Sequence, residues 1–137
     1  MPDFHWNSSY QVGHPEIDAQ HEEMAAIMQE LFRDQQAKTS VQDALGILGR
    51  LIAHTTEHNA SEERLMLEYG YPATSDHKHE HEDLLQQLYV MREELLSRET
   101  GLSSASMLFL KQWLLNHILN SDRNLSAFLA HATAAAR

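Results

Sequence analysis

Apolar residues recur along this chain at helical rather than alternating spacing, in four long segments separated by short polar or glycine-containing breaks. After an N-terminal arm that runs to about Pro15, Ile17, Met24, Met28 and Leu31 define a first stripe, and His21 occupies one place within it. Ser40 is placed to cap a second helix carrying Val41, Leu45, Leu48, Ile52 and Thr55 on one face. His58, Glu62 and Leu65 continue that stripe, and the run Tyr69-Gly70-Tyr71-Pro72 ends it. Thr74 or Ser75 is placed to cap a third helix, in which His77 and His81 lead into Leu84, Leu88, Met91 and Leu95 before Gly101 closes it. Ser103 or Ser104 opens the fourth. There Leu110, Trp113 and His117 share one face while Leu114, Ile118, Asp122, Leu125 and Leu129 form the adjacent one, and the alanine-rich end after His131 is expected to fray. Short turns between helices of this length predict an all-α fold, an up-down-up-down antiparallel four-helix bundle. The expected organisation is one domain over residues 1–137, with the arm at 1–15 and the bundle at about 16–131.

Composition narrows the chemistry. At 137 residues the chain is long enough to bury a core without disulfides. Its formal charge of −10 disfavours nucleic acid and anionic membrane surfaces, whose recognition needs clustered Lys and Arg. The absence of cysteine excludes thiolate zinc sites, iron–sulfur clusters and cysteine nucleophiles, so any metal must use nitrogen and oxygen donors. The N-terminal Met-Pro-Asp-Phe-His-Trp lacks the basic start and apolar run of a secretion signal, and no apolar stretch is long enough to span a bilayer. The expected location is cytoplasmic. Ten histidines, as many as Lys and Arg combined, are the compositional anomaly.

Their placement gives them meaning, because every apolar stripe carries ionisable residues: His21 on the first, His58 and Glu62 on the second, His77 and His81 on the third, His117 and Asp122 on the fourth. Residues four apart lie within ~40° on a helix, so His58 with Glu62, and His77 with His81, reach a common point. Five residues leave about 140° of rotation on an α-helix, so His117 and Asp122 are expected to flank the centre from opposite edges of a wide buried face. A lone histidine on an apolar face is ordinarily a hydrogen-bonded core residue. Seven such residues including two carboxylates are not, since an unpaired buried carboxylate costs several kcal/mol against a total stability of about 5–15 kcal/mol. No Lys or Arg lies on those stripes near the cluster, which leaves bound cations as the source of positive charge. The chain contains neither the His-Glu-x-x-His of zinc proteases nor the Glu-x-x-His of ferritin-like centres. Five imidazoles and two carboxylates form a nitrogen-rich set suited to iron.

With these residues in place the chain resembles the hemerythrins, in particular the single-domain bacterial type. The matching features are Asp18-Ala-Gln-His21, His58-x-x-x-Glu62-Glu63, Gly70-Tyr71-Pro72, His77-x-x-x-His81 and Trp113-x-x-x-His117-x-x-x-x-Asp122. The resemblance implies a non-haem pair of iron ions with an oxo or hydroxo bridge. His77, His81 and His117 would ligate one iron, His21 and His58 the other, and Glu62 and Asp122 would bridge both. By donor count the first iron is then six-coordinate, and the second keeps one position open for dioxygen.

Met24, Trp113, Ile118 and Leu119, each one turn or one residue from a ligand, are the expected wall of the oxygen pocket. Asn59 joins them as a departure, since the resembled family usually has phenylalanine after the second-helix histidine. His54 replaces the family's usual tyrosine one turn earlier and is read as a supporting or surface group. His5, His14, His79 and His131 are expected to face solvent, and the run Glu80, Glu82, Asp83 is read as a solvated helix face. The resulting expectation is reversible dioxygen binding for storage, delivery or sensing, without catalysis. The alternatives are a di-iron oxidase or peroxidase and an iron-storage protein. Expected partners are dioxygen and either an electron donor or an oxygen-consuming enzyme.

Overall fold

The computed structural model describes residues 6–37, 40–97 and 101–135. His5 lies outside them. A single 3₁₀ turn, Ser8–Tyr10, precedes helix α1 (Pro15–Ala37), followed by α2 (Val41–Tyr69), α3 (Thr74–Ser97) and α4 (Ser104–Asn116). A π-helical turn, His117–Asp122, then runs into α5 (Arg123–Ala135). Asn116, His117 and Arg123 all keep right-handed helical dihedrals, so α4, the π turn and α5 form one unbroken rod. The bundle therefore has four rods, as the periodicity predicts.

Local chemistry fixes the ends. Pro15 supplies the first residue of α1, where its missing N–H costs nothing. His14 caps that helix: its Nδ1 accepts the Ile17 N–H at 3.3 Å and its carbonyl accepts the Asp18 N–H at 2.8 Å. This corrects the solvent-facing reading of His14, whereas His79 and His131 are exposed as expected. Asp18 reaches back to the arm, accepting the N–H groups of Val12 at 2.7 Å and Gly13 at 3.1 Å. Ser40 caps α2 by accepting the Asp43 N–H, and Gly70 ends it in the left-handed region at φ 65°, where a side chain would be strained. Thr74 is already helical, and its hydroxyl donates to the Tyr71 carbonyl at 2.6 Å instead of capping α3. Ser103 caps α4. After His131 the rod continues to Ala135. Alanine has the highest intrinsic helix propensity, so an alanine-rich end can hold the conformation.

Polar contacts between rods fix their antiparallel order. Gln20 near the start of α1 donates to Ser61 in the distal half of α2, and Arg50 pairs with Glu30 further along. Glu94 near the end of α3 accepts the Ser103 N–H at 2.7 Å, and Gln35 near the end of α1 accepts the Leu102 N–H at 2.8 Å. The larger apolar core fills the half of the bundle built from Met24 to Phe32, Ala44 to Leu51, Leu84 to Leu95 and Leu102 to Ile118. A smaller one, formed by Ile17, Met66, Leu125 and Leu129, closes the opposite end. On α2 the buried line runs through Ala44, Leu48, Leu51, Thr55, His58, Glu62 and Met66, while Val41, Leu45, Ile52 and Leu65 are only half-buried. No helix among the described residues is long and apolar enough to cross a membrane.

The register of α3 is open to a direct check. Leu88 is fully buried and Leu96 is 61% exposed. Leu88→Ala should lower unfolding free energy by about 2–5 kcal/mol in a denaturant titration, whereas Leu96→Ala should stay within ~0.5 kcal/mol of wild type. Equal effects would mean that α3 presents a different face to the core.

Candidate metal centre

All four rods converge on one layer. α1 contributes His21, α2 contributes His58 and Glu62 one turn apart, and α3 contributes His77 and His81 one turn apart. The fourth rod contributes His117 and Asp122, and here the structure corrects the expectation of opposite edges. A π turn bonds residues five apart, so its first and last members come to lie on the same face. His117 Nε2 accordingly lies 3.0 Å from Asp122 Oδ1.

The seven side chains form two overlapping groups whose donor atoms lie within 4.8 Å of one another: Glu62, His77, His81, His117 and Asp122 in one, His21, His58, Glu62 and Asp122 in the other. Both carboxylates are shared. Glu62 Oε1 is 2.8 Å from His77 Nε2 and 2.9 Å from His81 Nε2, while its Oε2 is 3.0 Å from His58 Nε2. Asp122 Oδ2 is 2.7 Å from His21 Nε2, and its Oδ1 is 2.9 Å from His77 Nε2. Every member is buried, and Glu62 and Asp122 are wholly inaccessible.

This geometry fits cations better than mutual hydrogen bonding. His21 Nε2, His117 Nε2, Glu62 Oε2 and both Asp122 oxygens are buried without a soundly directed hydrogen bond, despite their short separations. Glu62 Oε1 lies within hydrogen-bond reach of the His77 and His81 Nε2 atoms, but these other atoms face the common centre without a directed partner. Among the described residues no Lys or Arg pairs with either carboxylate, so the positive charge that burial demands must come from protonated imidazoles or from bound cations. Nitrogen and oxygen donors with no sulfur suit a first-row transition metal such as iron.

Outside the centre, three imidazoles are held by their Nδ1 atoms. Gln20 Oε1 lies 2.6 Å from His58 Nδ1, Glu63 Oε2 lies 3.1 Å from His81 Nδ1, and Glu80 Oε1 lies 2.9 Å from His117 Nδ1. Such partners fix tautomer and ring orientation. The solvated reading of the Glu80, Glu82, Asp83 run therefore fails for Glu80, which also accepts the Ser121 hydroxyl at 2.7 Å. His54 acts as a supporting group: it is half-buried, and its Nε2 lies 3.1 Å from the Gln20 carbonyl oxygen. Sequence offered one signal for these residues, namely that Gln20, Glu63 and Glu80 each adjoin a centre-facing residue and carry an acceptor.

One turn inward lies an apolar crevice too narrow for water, lined by Met24, Met28, Leu51, Thr55, Leu84, Leu88, Leu110 and Leu114. Met24, Thr55, Leu84 and Leu114 are each three residues from His21, His58, His81 and His117, alternately after and before, as antiparallel rods require. Of the residues expected to wall an oxygen pocket, only Met24 lines this crevice. Trp113 is half-buried and stacks on the His117 ring at 5.0 Å, Ile118 is fully buried, and Leu119 is half-buried. Asn59 is buried with its amide nitrogen unpartnered.

Electrostatics in the metal-free protein follow from these contacts. Burial alone would raise the Glu62 carboxyl and the Asp122 charge adds to that, but the charge of His58 and close contacts from His58 and His77 hold it below the usual range. Asp122 is likewise held well below its ordinary value: burial opposes, but His117, His21 and His77 prevail. For His77, burial favours the neutral ring, yet Asp122 and Glu62 lift it from 6.5 to about 10. A raised histidine stabilises the fold fully below its unfolded value and loses that contribution as pH rises through the folded one; lowered carboxylates lose theirs as pH falls. The melting temperature of metal-free protein should therefore decline as pH rises from 6.5 toward 10, and this decline should be smaller in His77→Gln. A wild-type decline matched in His77→Gln would show that His77 carries no proton there.

Comparison with known proteins agrees with this geometry. Residues 12–129 match the Hemerythrin HHE cation binding domain. The chain is 31% identical to a bacteriohemerythrin of Stenotrophomonas maltophilia over 120 residues, 86% of this chain and 76% of the relative. It is 27% identical to a hemerythrin-like protein of Naegleria gruberi, covering 92% of this chain and 93% of that one. A crystal structure of a hemerythrin variant superposes with a TM-score of 0.83 at 23% identity, covering 94% of this chain and 98% of that chain, which supports the fold. On its sequence match and its bundle, the chain belongs to the hemerythrin family.

Proposed function

We propose that the centre holds two iron ions and that the protein binds dioxygen there reversibly, for storage, delivery or sensing. The observation that carries this reading is the pair of donor groups sharing Glu62 and Asp122, with three imidazoles on one side and two on the other. His77, His81 and His117 would hold one iron, His21 and His58 the second, and the two carboxylates would span both. The His21/His58 side is thereby one protein donor short, which leaves room for a small ligand. A ferrous pair supplies the two electrons that dioxygen accepts when it binds.

The chain's own residues supply the rest. His58, His81 and His117 are oriented from outside by Gln20, Glu63 and Glu80. The water-excluding layer of Met24, Leu84 and Leu114 keeps the inner side of the centre dry, and the cluster of Ile17, Met66, Leu125 and Leu129 does so on the other side. Dryness opposes loss of the bound ligand in reduced form, a process that needs a proton. Trp113, Ile118, Leu119 and Asn59 belong to the same surroundings in this reading.

The test is the visible spectrum of the reduced protein before and after air, with iron counted per chain. Two irons and a colour that develops in air and bleaches under vacuum are expected. A stoichiometry near one, or a colour that never bleaches, would overturn the proposal. Glu62→Ala should lower both iron content and melting temperature, and Glu63→Ala should do so less, because Glu63 touches only the outer nitrogen of His81.

Asn59 gives a separate prediction. Its buried, unpartnered amide nitrogen can hold a water molecule or donate a hydrogen bond where phenylalanine would exclude both. Asn59→Phe should lengthen the lifetime of the oxygenated form with iron content unchanged. An unaltered decay of the oxygenated band would place Asn59 outside the ligand pocket.

A further inference from the structure

The two donor groups are backed unequally. In the three-histidine group, His81 Nδ1 meets the Glu63 carboxylate at 3.1 Å and His117 Nδ1 meets the Glu80 carboxylate at 2.9 Å. Among the described residues, His58 Nδ1 in the two-histidine group meets only the neutral amide oxygen of Gln20, at 2.6 Å, and His21 Nδ1 is buried without a hydrogen-bond partner. Among the described residues two anions thus stand behind one side of the centre and none behind the other.

A carboxylate behind an imidazole does two things for a cation in front of it. It fixes the tautomer that leaves the Nε2 lone pair facing inward, and it makes that nitrogen a stronger donor. Glu80 is itself held, with both oxygens 2.7 Å from the Ser121 hydroxyl, and that serine belongs to the same π turn as His117. Glu63 has Lys78 Nζ at 4.0 Å from its other oxygen, a distance that leaves most of its charge available to His81. Both carboxylates are partly exposed, so neither demands a cation for its own burial.

We propose that Glu80 and Glu63 are positioning residues that make the three-histidine side the tighter, first-filled cation position, leaving the His21/His58 side exchangeable. This rests on the reading of the centre as a two-metal site but not on dioxygen as its ligand.

The experiment is calorimetric titration of metal-free protein with cobalt(II), together with the visible absorption of the bound ion. Wild type should take up two cobalt ions in two resolved steps. Glu80→Gln keeps side-chain size and an acceptor but removes the charge; it should weaken the first step by about 10–100-fold and shift the absorption of the first-bound ion. The second step should keep its affinity. His21→Ala should remove the second step and keep the first. Two wild-type steps of equal affinity, or a loss in Glu80→Gln confined to the second step, would overturn the inference while leaving the two-metal reading intact. Failure of wild type to take up cobalt at all would overturn both.

Discussion

Everything in this bundle answers to the charge of Glu62 and Asp122, two carboxylates with no access to solvent at the meeting point of four helices. Leaving such groups uncompensated would cost several kcal/mol each, a large part of the ~5–15 kcal/mol that holds a domain together. Among the described residues no Lys or Arg answers them, and five imidazoles surround them instead. An imidazole is a conditional counter-charge: protonated it neutralises a carboxylate, and neutral it becomes a donor to a metal. One set of side chains can therefore satisfy the same anions with protons or with metal ions, and the fold need not rearrange between the two.

The apolar layers show why the polar cluster does not dissolve the bundle around it. The larger core occupies one side of the ligand layer and the smaller cluster the other, so much of the apolar packing between helices lies outside that layer. The centre can then carry buried atoms without directed hydrogen bonds, which a core of the same size would tolerate poorly if its packing also depended on them. Asp18 adds a tie at the end closed by the smaller cluster by binding the arm through the Val12 and Gly13 N–H groups. Trp6, on that arm, comes within 6.4 Å of the His21 ring.

Much of this is legible in the sequence for a physical reason: ligands on straight helices obey the same period as the core. His58 with Glu62 and His77 with His81 could be placed at once because a four-residue spacing has one meaning on an α-helix. Gly70 and Ser103 signalled helix ends through their own conformational and hydrogen-bonding preferences. On α-helical geometry the five-residue spacing of His117 and Asp122 gives the wrong relative placement, because the one-residue shift of the buried stripe between Leu110, Leu114 and His117 and Ile118, Asp122, Leu125 and Leu129 looks like two adjacent faces of a regular helix. Glu80 and Glu63 were hidden for another reason. A carboxylate that supports a ligand from outside is half-exposed, and its pattern along the helix is that of any solvated residue. His14 escaped because an imidazole seldom caps a helix, a role that only its placement before Pro15 reveals.

The π turn bears on how this chain tolerates changes in length. It takes up one more residue than an α-helical turn between two helices that otherwise continue each other, so the surplus residue is stored locally and not passed down the rod. Removing a residue such as the exposed Asn120 would let the turn close as an α-helix with α4 and α5 both still seated. His117 and Asp122 would then stand four apart, the spacing already used by His58 with Glu62. A deletion at this point is thus a change of local winding instead of a rotation of the whole C-terminal helix, and the fourth rod can lose a residue where an ordinary helix could not.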